Sequence, residues 1–191
     1  MPGSLNVGMI TAACGQPAIT PRVNVMSIAK ETVDYLRDHS LTITTAESCT
    51  AGNIVMLLSE VPGSGQLIES GYVVYSPQAK QRLLHVSPDT IETFNLTSVE
   101  VAAEMAVGAL RDSTANVAVA TTGILGPDDV DGIAAGTVCF AWAFQLNGQH
   151  AVFTRQQWFP GSRVEVQQTA SEFALQQLPH FHQRALRGER G

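Results

Sequence analysis

The sequence is poor in basic residues. Lys and Arg number 11 against 17 Asp and Glu, a formal charge of −6 over 191 residues. A chain this acidic lacks the broad positive footprint of a nucleic-acid binder, so no direct nucleic-acid partner is expected. An anionic ligand would have to rely on local donors or a helix N-terminus. Cysteine is also scarce: Cys14, Cys49 and Cys139 are odd in number and lack metal-ligand spacing. A disulfide scaffold and a zinc site are thereby disfavoured, and a reducing, cytoplasmic setting is expected. No apolar run approaches the ~20 residues of a membrane-spanning helix. Residues 1–22 lack the basic and continuous apolar regions of a secretory signal. No glycine-rich fingerprint follows the first predicted strand, which argues against a Rossmann oxidoreductase. The five histidines fall in no triad or metal pattern and read as surface or capping residues. Asp128 to Gly132 lacks the oxygen-ligand run and closing Glu of an EF-hand and reads as a solvated acidic turn.

What is present is globular: 45% apolar and 15% charged residues, long enough for one domain with a single core. Gly3, Gly8, Gly15, Pro17 and Pro21 mark residues 1–24 as a flexible leader. Val25, Ile28, Ala29, Val33 and Leu36 recur at helical spacing. A β-branched strand, Leu41 to Thr45, runs into a helix that continues to about Ser59. A second strand, Ser70 to Tyr75, meets Ser76-Pro77, an N-cap and first helical position for Gln78 to Leu84. Ser87-Pro88 opens another short helix in the same way. Thr97 to Glu100 has capping-box spacing ahead of a helix burying Val101, Ala102, Met105, Ala109 and Leu110. Asn116 to Thr122 reads as a strand. Val138 to Gln145 and Val152 to Phe159 read as a hairpin turning at Asn147-Gly148. A last helix, Val164 to Leu178, ends the domain at about residue 180, leaving 181–191 as a tail. Crossovers plus one hairpin predict an α/β fold with a mixed sheet covered by helices.

Four segments carry chemistry. Thr45 to Gly52 places hydroxyls, a thiol and a carboxylate at a strand-to-helix connection, where first-turn N–H groups can hold an oxyanion. Ser48 there is a nucleophile or a helix cap; Cys49 is a second nucleophile or a small buried residue. In Tyr75 to Lys80, the lysine falls about one turn into its helix. Partial burial would lower its pKa enough to take a serine proton, and Tyr75 could relay a proton. The plain reading of that pair is an exposed lysine beside a core tyrosine. Thr122 and Gly123 end a buried strand, where glycine permits close approach to a ligand. Arg163 beside a helix start suits a phosphate or carboxylate, or is simply a surface residue.

Their order and spacing resemble a known family. Thr45-Ala-Glu-Ser-Cys-Thr-Ala-Gly52, Pro62-Gly-Ser64, Tyr75-Ser-x-x-Ala-Lys80, Thr122-Gly-Ile-x-Gly-Pro127, Gly136-Thr-Val138 and Gly161-x-Arg163 are similar to motifs of the CinA C-terminal, nicotinamide-nucleotide amidase family. The resemblance spans about Ile28 to Leu178. It implies a three-layer α/β fold, a homo-oligomer (a dimer in the first place) and no metal or organic cofactor. The implied reaction converts nicotinamide mononucleotide, a pyridine mononucleotide, to nicotinic acid mononucleotide and ammonia. Carried across, Ser48 matches the nucleophile, and Tyr75 and Lys80 the proton-handling pair. Cys49, Thr50, Gly52, Thr122, Gly123 and Arg163 match the substrate site. The chain departs from the family pattern at Ala51, Pro77, Leu125, the acidic stretch Asp128 to Ala135, and Gln167, which stands where a second arginine is common. These departures leave room for an amidase of another carboxamide, or for a non-catalytic relative acting as a binding protein.

Overall fold

The computed structural model describes residues 25–146 and 148–191, so the 1–24 leader and Asn147 lie outside the described residues. Among these, the elements in chain order are α1 (Val25–Asp38), β1 (Ile43–Glu47), α2 (Asn53–Ser59), β2 (Ile68–Val73), α3 (Pro77–Leu84), α4 (Pro88–Phe94), α5 (Val99–Arg111), β3 (Val117–Gly123), β4 (Thr137–Leu146), β5 (Gln149–Trp158) and α6 (Arg163–Leu186). They form one mixed sheet of order β2-β1-β3-β4-β5. β1 is parallel to both β2 and β3, whereas β3–β4 and β4–β5 are antiparallel. The β4–β5 ladder closes at Leu146 opposite Gln149, where the hairpin was expected.

Alternation along the strands builds the two faces. In β4, Phe140, Trp142 and Phe144 join the core beneath α1, α2 and α6. Cys139, Ala141 and Ala143, one residue out of phase, join the core beneath α3 and α5. β3 repeats the pattern with Val117 and Val119 against Ala118 and Ala120. The large side chains hold the first helical layer away from the sheet; the small ones let α5 approach with Ala102, Ala106 and Ala109. Both faces are therefore dry, and the fold is a three-layer α/β sandwich.

Several boundaries differ from the sequence reading. β1 starts two residues later than expected, because the Leu41 N–H bonds the Leu36 carbonyl and completes α1. The cap of α5 is Ser98, whose hydroxyl accepts the Val101 N–H, and not Thr97. α6 does not stop at Leu178. It passes through Pro179 to Leu186, so the stretch beginning at 181 is packed structure and not a free tail. Proline normally ends a helix by removing a donor. Here burial of Phe181, stacked on Trp142 at 4.5 Å and on Phe153 at 5.3 Å, keeps the helix going. His182 is also buried, its Nδ1 2.9 Å from the Tyr35 hydroxyl on α1, contrary to the surface role expected of it.

α5 meets the end of α3 at Gly108, where an added Cβ would lie 2.0 Å from the Leu84 carbonyl oxygen. Gly108→Ala should therefore destabilise the fold by about 1–3 kcal/mol, read as a lower urea midpoint at unchanged slope.

Candidate active site

β1 has β2 on one side and β3 on the other, because the chain passes from β1 to β2 and then crosses back over β1 to β3. The crevice beyond its carboxyl end is a topological switch point, the usual ligand position in open α/β sheets. Glu47, the last residue of β1, is fully buried. Its carboxyl accepts the N–H groups of Gly52 (3.0 Å), Ile54 (3.1 Å) and Val55 (3.1 Å), and the Thr45 hydroxyl (3.2 Å). The start of α2 is thus satisfied from inside by the strand that precedes it. The helix begins at Asn53, later than the sequence suggested, and its first donors serve Glu47 and not a ligand.

Residues 48–52 bulge out as a turn, with Ala51 at φ 53° and Gly52 at φ 93° reversing the chain. The Ser48 N–H bonds the Thr121 carbonyl at 3.0 Å, fixing the turn to β3. The buried Thr50 hydroxyl meets the Thr121 hydroxyl at 2.7 Å, and the Gln167 side-chain amide donates to the Thr50 carbonyl at 2.8 Å. Thr50 and Gly52, expected as ligand contacts, shape the turn and do not line the cleft.

Lys80 enters from the other side. Ser76 caps α3 by accepting the Ala79 N–H, Pro77 occupies the first turn, and Lys80 follows within it. Its stem is buried, with 2% of the residue exposed. Nζ lies 2.8 Å from Ser48 Oγ, 2.8 Å from the Val74 carbonyl and 3.1 Å from the Tyr75 carbonyl. Burial pushes the lysine down from 10.5 to about 8. In its neutral form the amine has two N–H bonds for the two carbonyls and one lone pair left for the Ser48 hydroxyl. Cys49 is the opposite case. Burial pushes its thiol up to about 12, so it is protonated at neutral pH and a poor nucleophile.

Ser48, Cys49, Tyr75, Lys80, Thr122, Gly123 and Arg163 all line one cleft of about 370 Å³. Tyr75 is exposed, and its phenol does not meet Lys80; only its backbone carbonyl does. The phenol oxygen instead accepts an N–H from Arg163 at 2.8 Å, while Arg163 also donates to the Gly126 carbonyl at 3.0 Å. Thr122 donates its hydroxyl to the Leu96 carbonyl at 2.8 Å, which ties the α4–α5 loop to β3.

The CinA C-terminal domain profile matches residues 25–182. The chain belongs to the CinA C-terminal domain family. A CinA-like protein of Chlorobium luteolum is 40% identical over 171 residues, 88% of this chain but only 39% of that relative's length. The nicotinamide-nucleotide amidohydrolase PncC of Escherichia coli is 36% identical over 155 residues, covering 81% of this chain and 92% of the relative. Among solved structures, a competence-damaged protein (CinA) superfamily protein from Escherichia coli superposes with a TM-score of 0.77 at 34% identity, over 91% of this chain and 99% of that one.

In this CinA C-terminal domain the cleft has a wall that sequence reasoning missed: Asn95, Leu96 and Thr97, between α4 and α5. That segment was legible only as helix-capping sequence; the Thr122–Leu96 bond that brings it to the site is long-range. Leu125, Asp128 and Asp131, from the stretch that departs from the family pattern, complete the lining. Among the described residues no cluster of His, Cys, Asp or Glu could hold a metal, and no helix is long and apolar enough to cross a membrane.

Removing the Glu47 carboxyl orphans three backbone donors of the α2 start, one buried and two half-buried. Glu47→Ala should cost at least ~3 kcal/mol of folding stability, measured by chemical denaturation.

Proposed function

We propose that this CinA-family domain is a serine amidohydrolase that converts nicotinamide mononucleotide to nicotinic acid mononucleotide and ammonia. The observation that carries the reading is the 2.8 Å approach of Lys80 Nζ to Ser48 Oγ inside the cleft. A buried amine held by two carbonyls, with its pKa lowered to about 8, suits it to serve as a general base near neutral pH. The similarity to a protein named as a nicotinamide-nucleotide amidohydrolase supports the choice of bond and substrate.

Neutral Lys80 takes the hydroxyl proton as Ser48 Oγ attacks the carboxamide carbon. The carbonyl oxygen becomes an oxyanion, with the backbone N–H of Cys49, the cleft-lining residue after Ser48, as its donor. The Lys80 ammonium then protonates the amide nitrogen, the C–N bond breaks and ammonia leaves. Water attacks the resulting ester with Lys80 again as base, giving the acid and free Ser48. At the mouth, Arg163 and the Tyr75 phenol supply donors for the substrate's phosphate, and Thr122 and Gly123 bound the ring's place.

One observation favours a second reading, an amidase of a related carboxamide. Asp128 and Asp131 line the same cleft and oppose a phosphate dianion. A non-catalytic binding protein is the third outcome, and one substrate panel separates all three.

Ammonia release should be measured with nicotinamide mononucleotide, its riboside and nicotinamide. Ser48→Ala should lower turnover by about 10³-fold or more while leaving the melting curve intact; turnover retained in that variant overturns the nucleophile assignment. Hydrolysis of another amide alone selects the second reading, and binding without hydrolysis selects the third.

The pH profile is a separate check. Because Lys80 acts unprotonated, kcat/KM should rise about tenfold per pH unit below about 8 and level off above it. A rate that falls across that interval contradicts lysine as base.

A further inference from the structure

Asn95 ends α4 with φ 72° and ψ 161°. That combination is open to glycine and strained for any residue with a Cβ. The backbone is nonetheless held there on every side. Its N–H bonds the Ile91 carbonyl at 3.0 Å, and its carbonyl accepts the Ser98 hydroxyl at 2.9 Å. The next residue, Leu96, is tied to β3 by Thr122. Glycine would make these backbone bonds without strain. The side chain is therefore a local cost, and its position shows what it adds. Oδ1 accepts the Thr97 N–H at 3.3 Å, which orients the amide, while Nδ2 has no partner among the described residues.

Asn95 lines the catalytic cleft and also an open groove beside it, so it stands at the outer lip, away from the buried Ser48–Lys80 pair. Asp131, exposed, borders the same two spaces. A neutral donor and a carboxylate at one lip suit a group that accepts and donates together, as a hydroxyl does. A phosphate accepts only, and would face the charge of Asp131.

We propose that Asn95 is a substrate-binding residue whose side-chain amide, with Asp131 as acceptor, recognises a sugar hydroxyl on the part of the substrate remote from the carboxamide. The proposal rests on the amidohydrolase reading for its choice of substrate and deepens it by naming what the outer cleft selects.

The test compares the intact chain with Asn95→Gly on nicotinamide riboside, nicotinamide mononucleotide and nicotinamide, by ammonia release and by calorimetric binding. Strain relief and loss of the Thr97 bond oppose each other, so Asn95→Gly should keep a near-native melting temperature. KM and Kd for the riboside and the mononucleotide should both rise about tenfold at little-changed kcat, with nicotinamide unaffected. Asp131→Asn should weaken the same two ligands. Unchanged riboside affinity in Asn95→Gly overturns the proposal, as does absence of riboside binding to the unaltered chain. A loss confined to the mononucleotide assigns the contact to phosphate and overturns the hydroxyl. If the unaltered chain binds the riboside but hydrolyses none of the three, the amidohydrolase reading fails while the binding arm still decides the role of Asn95.

Discussion

A carboxyl group buried where a strand becomes a helix sets the geometry of everything around it. Glu47 has no exposure to solvent, and its cost of burial is offset by three backbone N–H groups and one hydroxyl that converge on it. Because those donors belong to Gly52, Ile54 and Val55, the chain between Ser48 and Gly52 has to loop outward and return. That loop is the turn that presents Ser48. Left-handed backbone at Ala51 and Gly52 completes the reversal. The hydroxyl is thus displayed by a constraint lying directly beneath it, with no reliance on the helix dipole.

The second constraint is the enclosed amine. Lys80 gives up hydration when its stem is buried, and that loss lowers its pKa and poises it to exchange a proton with the hydroxyl beside it. Two carbonyls at the end of β2 position Nζ without neutralising it. The thiol next to Ser48 is buried too, yet burial acts on it with the opposite outcome, because there the charged form is the reactive one. One physical effect, desolvation, separates the two neighbours into a candidate base and a silent packing residue.

α6 connects this centre to the cleft mouth. Arg163 in its first turn reaches Tyr75 and Gly126, and Gln167, one turn further and on the same side, reaches the Thr50 carbonyl. Gln167, a departure from the family pattern, is a neutral brace on the turn that carries Ser48. Cleft charge is accordingly more mixed than a phosphate site alone would require, with Arg163 at one side and Asp128 and Asp131 at another.

Much of this was legible from local pattern. Ser76-Pro77 and Ser87-Pro88 act through neighbours in sequence, so the helices they open follow from local pattern, whereas the three-layer arrangement was implied by the family resemblance. Motif order likewise singled out Ser48, Tyr75, Lys80, Thr122 and Arg163, which do share one cleft. What local pattern missed depended on distant partners. Phe181 carries α6 past a proline because Trp142 and Phe153 wait for it; Thr50 turns inward because Thr121 does; Asn95 reaches the site because Thr122 holds Leu96. The sequence by itself determined which residues could carry the chemistry and which faces would be buried, since both depend on side-chain type and spacing. Only tertiary structure decided which donors were already consumed, which lysine lost its water and which loop closed the cleft, because hydrogen-bond pairing and desolvation are properties of neighbours brought together by folding.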